Sequence, residues 1–138
     1  MENNSLISYL AGYFDGEGSI SMTNDLRAPQ LHIQVGSADE DVIDLFCSTF
    51  GGRKSITKPQ SMTKRQQYKW ALVGSKAQNV LWKLYPYLRA KVYPASFALI
   101  PNYSRTQSRK KYWNDKTEFN IRQEMKKEIT EFNNRVTI

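Results

Sequence analysis

Two carboxylates set between glycines, Asp15-Gly16-Glu17-Gly18, are the residues of this 138-residue chain best placed to do chemistry. They follow an apolar pattern that predicts a helix over residues 5–15, so they fall where unpaired helix carbonyls gather negative potential. A carboxylate there is disfavoured by roughly 0.3 to 1 kcal/mol. A stretch shaped for stability alone would carry Lys. Hard oxygen donors crowded against a negative helix end are what a divalent cation complements. Taken alone, the four residues read better as a turn leading into a strand, since so short a motif recurs often without function. The rest of the composition narrows the chemistry. One histidine, His32, and one cysteine, Cys47, exclude a His/Cys zinc cluster, a histidine-rich nuclease centre and an internal disulfide.

The elements that must position these residues are legible in the periodicity. The first helix opens under Asn4 or Ser5 and places Leu6, Ile7, Leu10, Ala11 and Phe14 on one face. Ser8, Gly12 and Gly16 recur every four residues on another face, a stripe poor in side chains that lets a second backbone approach closely. After Gly18 the period becomes two. Ile20 and Met22 point inward and Ser19, Ser21 and Thr23 outward; then, past a loop, Leu31, Ile33 and Val35 point inward and Gln30, His32 and Gln34 outward. A second helix from about Asp39 to Phe50 has an acidic first turn, an apolar face of Val42, Leu45, Phe46 and Phe50, and a stop at Gly51-Gly52.

The pattern then repeats. Residues 53–58 and 66–73 predict a second hairpin with Ile56, Tyr68, Trp70 and Leu72 toward the core, and with Arg53, Ser55, Thr57, Gln67 and Lys69 outward. A third helix starts at Ser75, whose spacing to Gln78 fits a capping box, and ends before Pro86. A short helix is expected from Pro94, and a last one from Asp115 carries Ile121, Met125, Ile129, Phe132 and Val136. The order predicts one α+β domain over residues 1–138. Its core lies at about 5–103, with a basic linker and C-terminal helix over 104–138, and its four-stranded antiparallel sheet has helices on one face and polar side chains on the other.

Charge is distributed unevenly. Twenty Lys and Arg against 13 Asp and Glu give a net charge of +7, yet eight of the acids lie in residues 1–52 beside a single base, Arg27. From Arg53 to Lys111 there are fourteen bases and no acid. Such a block, interleaved with Tyr68, Trp70, Trp82 and Tyr103, suits a polyanion. No apolar run approaches the ~20 residues of a membrane span, and the start of the chain lacks the basic stretch of a secretory signal, so an intracellular protein without a membrane partner is expected.

The nine residues Leu10-Ala11-Gly12-Tyr13-Phe14-Asp15-Gly16-Glu17-Gly18 resemble the LAGLIDADG signature of the homing endonucleases, and the helix, hairpin, helix, hairpin, helix order over roughly 5–103 is similar to that family's. The resemblance implies a saddle-shaped sheet over double-stranded DNA and metal-dependent hydrolysis of phosphodiester bonds at a long, pseudo-palindromic site, as in intron or intein homing. Magnesium would be the metal, with Mn²⁺ or Ca²⁺ able to substitute for binding. One motif per chain implies a homodimer whose two-fold axis runs between paired first helices, with Ser8, Ala11, Gly12 and Asp15 at the interface. By position, Glu17 stands for the metal-binding carboxylate and the Gly16 carbonyl for a further metal ligand. Asp15 reads mainly as helix-end structure. Lys91 stands for the basic residue beside the active centre. Ser37 takes the place where some members have a glutamine, and Gln34 is read as a base contact.

The same resemblance assigns DNA contacts to Ser19, Ser21, Thr23, Gln30, His32, Gln34, Arg53, Ser55, Thr57, Gln67 and Lys69, with Lys54, Lys58, Lys64 and Arg65 on backbone phosphates. The run from Arg105 to Trp113 is read as a solvated linker, or as an extension of the DNA contact. Two other functions use the same surface: an intron maturase that binds folded RNA, and a non-catalytic DNA-binding regulator. Retention of an acid at Glu17 speaks against the regulator.

Overall fold

The computed structural model describes residues 4–23, 29–57, 65–103 and 116–136. The elements are α1 (Asn4–Glu17), β1 (Gly18–Met22), β2 (Leu31–Ser37), α2 (Glu40–Phe50), β3 (Arg53–Thr57), β4 (Gln67–Val73), α3 (Ser75–Leu84) with a 3-10 turn at Tyr85–Tyr87, α4 (Val92–Ala98) and α5 (Lys116–Val136). The four strands form one antiparallel sheet in the order β1-β2-β4-β3, so the α+β architecture expected from the alternating periods is the one observed. Lys58, Lys64, most of the basic linker and the Asp115 cap lie outside the described residues.

The helix face of the sheet buries Ile20, Met22, Leu31, Ile33, Val35, Trp70 and Leu72 against Ile7, Leu10, Ala11 and Phe14 of α1, Val42, Ile43 and Phe46 of α2, and Ala77, Val80, Leu81 and Leu84 of α3. Each large side chain removed from water there contributes about 1.5 to 3 kcal/mol. Trp70 is the pivot of the second hairpin. Its ring lies 4.8 Å from that of Phe46, and its Nε1 donates to the Gly51 carbonyl at 2.7 Å. Gly52 has φ +105, and a Cβ there would stand 2.7 Å from that Nε1, so only glycine fits between α2 and β3.

Four expectations change. On α2 it is Ile43, fully buried, that joins Val42 and Phe46, while Leu45 and Phe50 are only partly covered. Ile56 is 55% exposed, because β3 is an edge strand that α2 meets through Lys54 without covering Ile56. The capping box at Ser75 does not form. Gly74 is the cap, and the Gln78 amide donates to the carbonyls of Ala98 and Pro101 instead. The short helix begins at Val92, two residues before Pro94.

The C-terminal helix is an integral part of the fold. Arg122 is fully buried, donates to the carbonyls of Pro29 at 3.3 Å and Asn102 at 3.0 Å, and stands 5.0 Å from the Tyr103 ring centre. Asn133 donates to the Ile20 carbonyl of β1 at 3.0 Å. Of the face that periodicity marks on this helix, Ile129 is buried while Ile121, Met125 and Phe132 are half-buried, and periodicity has no signal for a buried arginine.

Candidate active site

The first helix runs to Glu17, so the acidic pair occupies its last turn. Gly18 makes the abrupt change to strand, because a Cβ there would run into the Phe14 ring and come within 2.7 Å of the Phe14 carbonyl. This fixes where the Glu17 side chain leaves the backbone.

The two acids have different roles. Asp15 accepts backbone N–H groups from Arg89 at 3.1 Å, Ala90 at 3.0 Å and Lys91 at 2.9 Å. Partial burial pushes its carboxyl pKa up, but these bonds and the Lys91 charge outweigh burial and hold it below the usual carboxylate value. Lys91 Nζ returns a bond of 2.6 Å to the Asp15 carbonyl, one of the orphan acceptors of the helix end. Burial lowers the Lys91 pKa, against the charges of Asp15 and Glu17, which raise it. Glu17 is exposed, and its carboxylate has no side-chain partner among the described residues.

Of the expected interface set, Asp15 has its carboxylate oxygens engaged by the 89–91 segment of its own chain. Ala11 also departs from the interface set: it is fully buried inside the single chain. Ser8 is partly exposed, Gly12 and Gly16 are exposed, and a Cβ added to either glycine would meet nothing within 4 Å. The small-residue stripe is thus open on this chain.

Ser37 has a structural role that the sequence did not disclose. It accepts the Tyr13 hydroxyl at 2.7 Å and the Asp39 amide at 2.9 Å, joining α1 to the start of α2. A cleft beside Lys91 is lined by Gly18, Ser19, Ile20, Ala90 and Pro94, and on its far side by Phe132 and Asn133 of α5. That wall was also missed: Phe132 has the apolar spacing of a core residue, and nothing local ties Asn133 to β1.

The opposite face of the sheet is polar apart from Ala71 and Val73 among the described residues. Strand register sets Ser19 beside Gln34 and Ala71, with Arg53 beyond, sets Ser21 beside His32 and Val73, and sets Ser55 beside Lys69 and Gly36. Thr57 pairs with Gln67. Thr23 and Gln30 continue the first hairpin, the Gln30 amide donating to the Thr23 hydroxyl, and Arg65 is exposed. Burial first, and then the Lys69 charge, lower the His32 pKa and favour the neutral ring. Lys54 is the exception. It shares a row with Trp70 on the helix side, where Nζ meets Glu40 at 2.6 Å and Asp44 at 2.7 Å. Its hydrogen bonds to Asp44 and Glu40 raise its pKa. The charge is neutralised and faces away from the polar surface, so the phosphate contact expected of Lys54 is not available.

No protein-family model and no curated protein sequence matches the chain. Solved structures do. The homing endonuclease I-CvuI, in complex with the I-CreI target, is 20% identical, over 88% of this chain and 81% of that one, with a TM-score of 0.59. The archaeal intron-encoded homing endonuclease I-Vdi141I, complexed with DNA, is 16% identical over 70% of this chain and 66% of that one, with a TM-score of 0.56. I-SmaMI bound to an uncleaved DNA target with calcium is 14% identical over 94% and 42%, with a TM-score of 0.53. In the complex of I-CvuI with its own target, this chain spans 64% of the neighbour's length. The fold is that of the LAGLIDADG homing endonucleases. The nine-residue string and the tertiary structure therefore point to one architecture by separate routes.

Proposed function

We propose that the protein is a site-specific double-strand DNA endonuclease of the LAGLIDADG type, acting in intron or intein homing as a homodimer of single-domain chains. The observation that carries this reading is the division of labour at the α1 terminus. Asp15 is engaged in holding the Lys91 segment, whereas Glu17 and Gly16 are exposed beside an open stripe of small residues. Among the described residues no group of three His, Cys, Asp or Glu side chains is close enough to hold a metal ion. A second copy, packed on Ser8 and Gly12, supplies the missing donors.

These oxygen donors fit Mg²⁺, with Glu17 and the Gly16 carbonyl as its protein ligands. When bound, the ion supplies charge neutralisation at the phosphate and a water of lowered pKa. The chain's own residues do the remaining work. Lys91, pinned through Asp15, holds a positive charge beside the Glu17 carboxylate, where the charge developing on a scissile phosphate needs it. With His32 out on the sheet, protons pass to solvent. The outward residues of the four strands read base edges in the major groove, where a β-ribbon fits, and Arg65 and Lys69 with the neighbouring bases hold phosphates. The structural neighbours are homing endonucleases solved with DNA and with Ca²⁺ or Mg²⁺, which supports both partner and metal class.

The test is a cleavage selection from randomised duplex DNA with Mg²⁺ and with EDTA, run beside Glu17→Gln. Cutting at one sequence by wild type only, and only with metal, is expected. Light scattering on the DNA-bound protein should return two chains per duplex, and a persistent monomer there overturns the paired site.

A further inference from the structure

Val73 is 50% exposed, while its neighbour Leu72 is 7% exposed and faces the core. The alternation along β4 puts Gln67, Lys69, Ala71 and Val73 on the polar face. Every other described side chain there is polar or no larger than alanine, so Val73 is the one large apolar group on that surface among the described residues. A single exposed valine on a strand is ordinary. Its position is what makes this one informative. It completes the row Ser21, His32, Val73, in which the other two members can donate or accept hydrogen bonds.

We propose that Val73 determines specificity by taking the 5-methyl group of a thymine in the bound duplex. This inference rests on the DNA-reading role of the sheet. In the major groove the four bases offer donors, acceptors and a single apolar group, the thymine methyl. Two valine methyls against a cytosine would strip water from its N4 donor and return no acceptor, a cost that a thymine avoids. The strand register places the neutral His32 ring beside Val73, so the same row presents one apolar group, one ring donor and one ring acceptor to adjacent bases.

The experiment is the cleavage selection repeated on two randomised pools, one made with thymidine and one with deoxyuridine in its place, for wild type, Val73→Ser and Val73→Ile. Wild type should enrich thymine at one position in each half-site. That preference should fall roughly fourfold, the effect of one buried methyl group, both in the uridine pool and with Val73→Ser. It should persist with Val73→Ile, while the other positions hold in all arms. Specific cutting with no thymine preference linked to Val73 overturns this inference and leaves the nuclease reading intact. Absence of any sequence-selective cutting by wild type overturns both.

Discussion

The sheet has two edges that begin from the same sequence pattern and end differently. In β1 the inward Ile20 is 2% exposed, and its carbonyl is taken by Asn133 of α5; in β3 the inward Ile56 is 55% exposed. Both strands alternate apolar with polar residues. The difference comes from what the chain later lays against each edge. α5 covers β1 and lines the cleft beside Lys91 with Phe132 and Asn133, so that edge belongs to the candidate active site. β3 is held by its pairing with β4 and by the Lys54 link to α2, and its outward side chains Arg53, Ser55 and Thr57 are exposed. Here it is distant sequence, covering one strand edge, that brings that edge into the candidate active site.

The sharpest way to break this comparison is at the covered edge. Glu17→Gln should lower cleavage on the order of 10³-fold, with circular dichroism and thermal midpoint unchanged, since the side chain is exposed. A large loss of stability would instead make Glu17 structural.

Asp15→Ala should cost about 2 to 3 kcal/mol in urea unfolding, because three backbone N–H groups lose a charged acceptor. Its pH dependence has a definite sign. The folded pKa of Asp15 lies below its unfolded value, so its contribution is complete above about pH 4 and is lost as pH falls through the folded value. Wild type and variant should therefore converge in stability under acid conditions. A constant gap down to pH 2 would show that the carboxylate charge is not what holds the 89–91 segment.

Smaller effects separate the two edges directly. Asn133→Ala should cost about 1 kcal/mol and reduce cleavage more than binding. Ile56→Thr, on the uncovered edge, should stay within about 0.5 kcal/mol of wild type. Equal costs would mean that α5 does not secure β1. Least visible in stability is a pair of lysines. Lys69→Ala should weaken DNA binding and reduce its salt dependence by about one ion, as loss of one phosphate contact does, while Lys54→Ala should leave the salt slope unchanged. A matching loss for Lys54 would put it back on the DNA-facing side.

Much of this was legible before any coordinates. The switch from period four to period two at Gly18 locates β1, and the outward Ser, Thr, Gln and His residues mark the polar face, because burial of one sheet face imposes alternation on the strand itself. Asp15 and Glu17, by contrast, look alike as letters. Their roles separate only when the Arg89–Lys91 backbone arrives at the helix end and satisfies one carboxylate but not the other. Lys54 was misjudged for a related reason: charge alone suggests a phosphate contact, whereas strand register turns the side chain toward Glu40 and Asp44.

Local pattern determined the elements, the inward and outward faces and the acidic turn, since these follow from backbone geometry and the burial of apolar side chains within a few residues. Tertiary structure decided which strand became a covered edge, which acid was left outward and where Arg122, Ser37 and Asn133 belong. Those outcomes depend on hydrogen bonds between groups far apart in the chain, and such partners are chosen by packing rather than by neighbours in sequence.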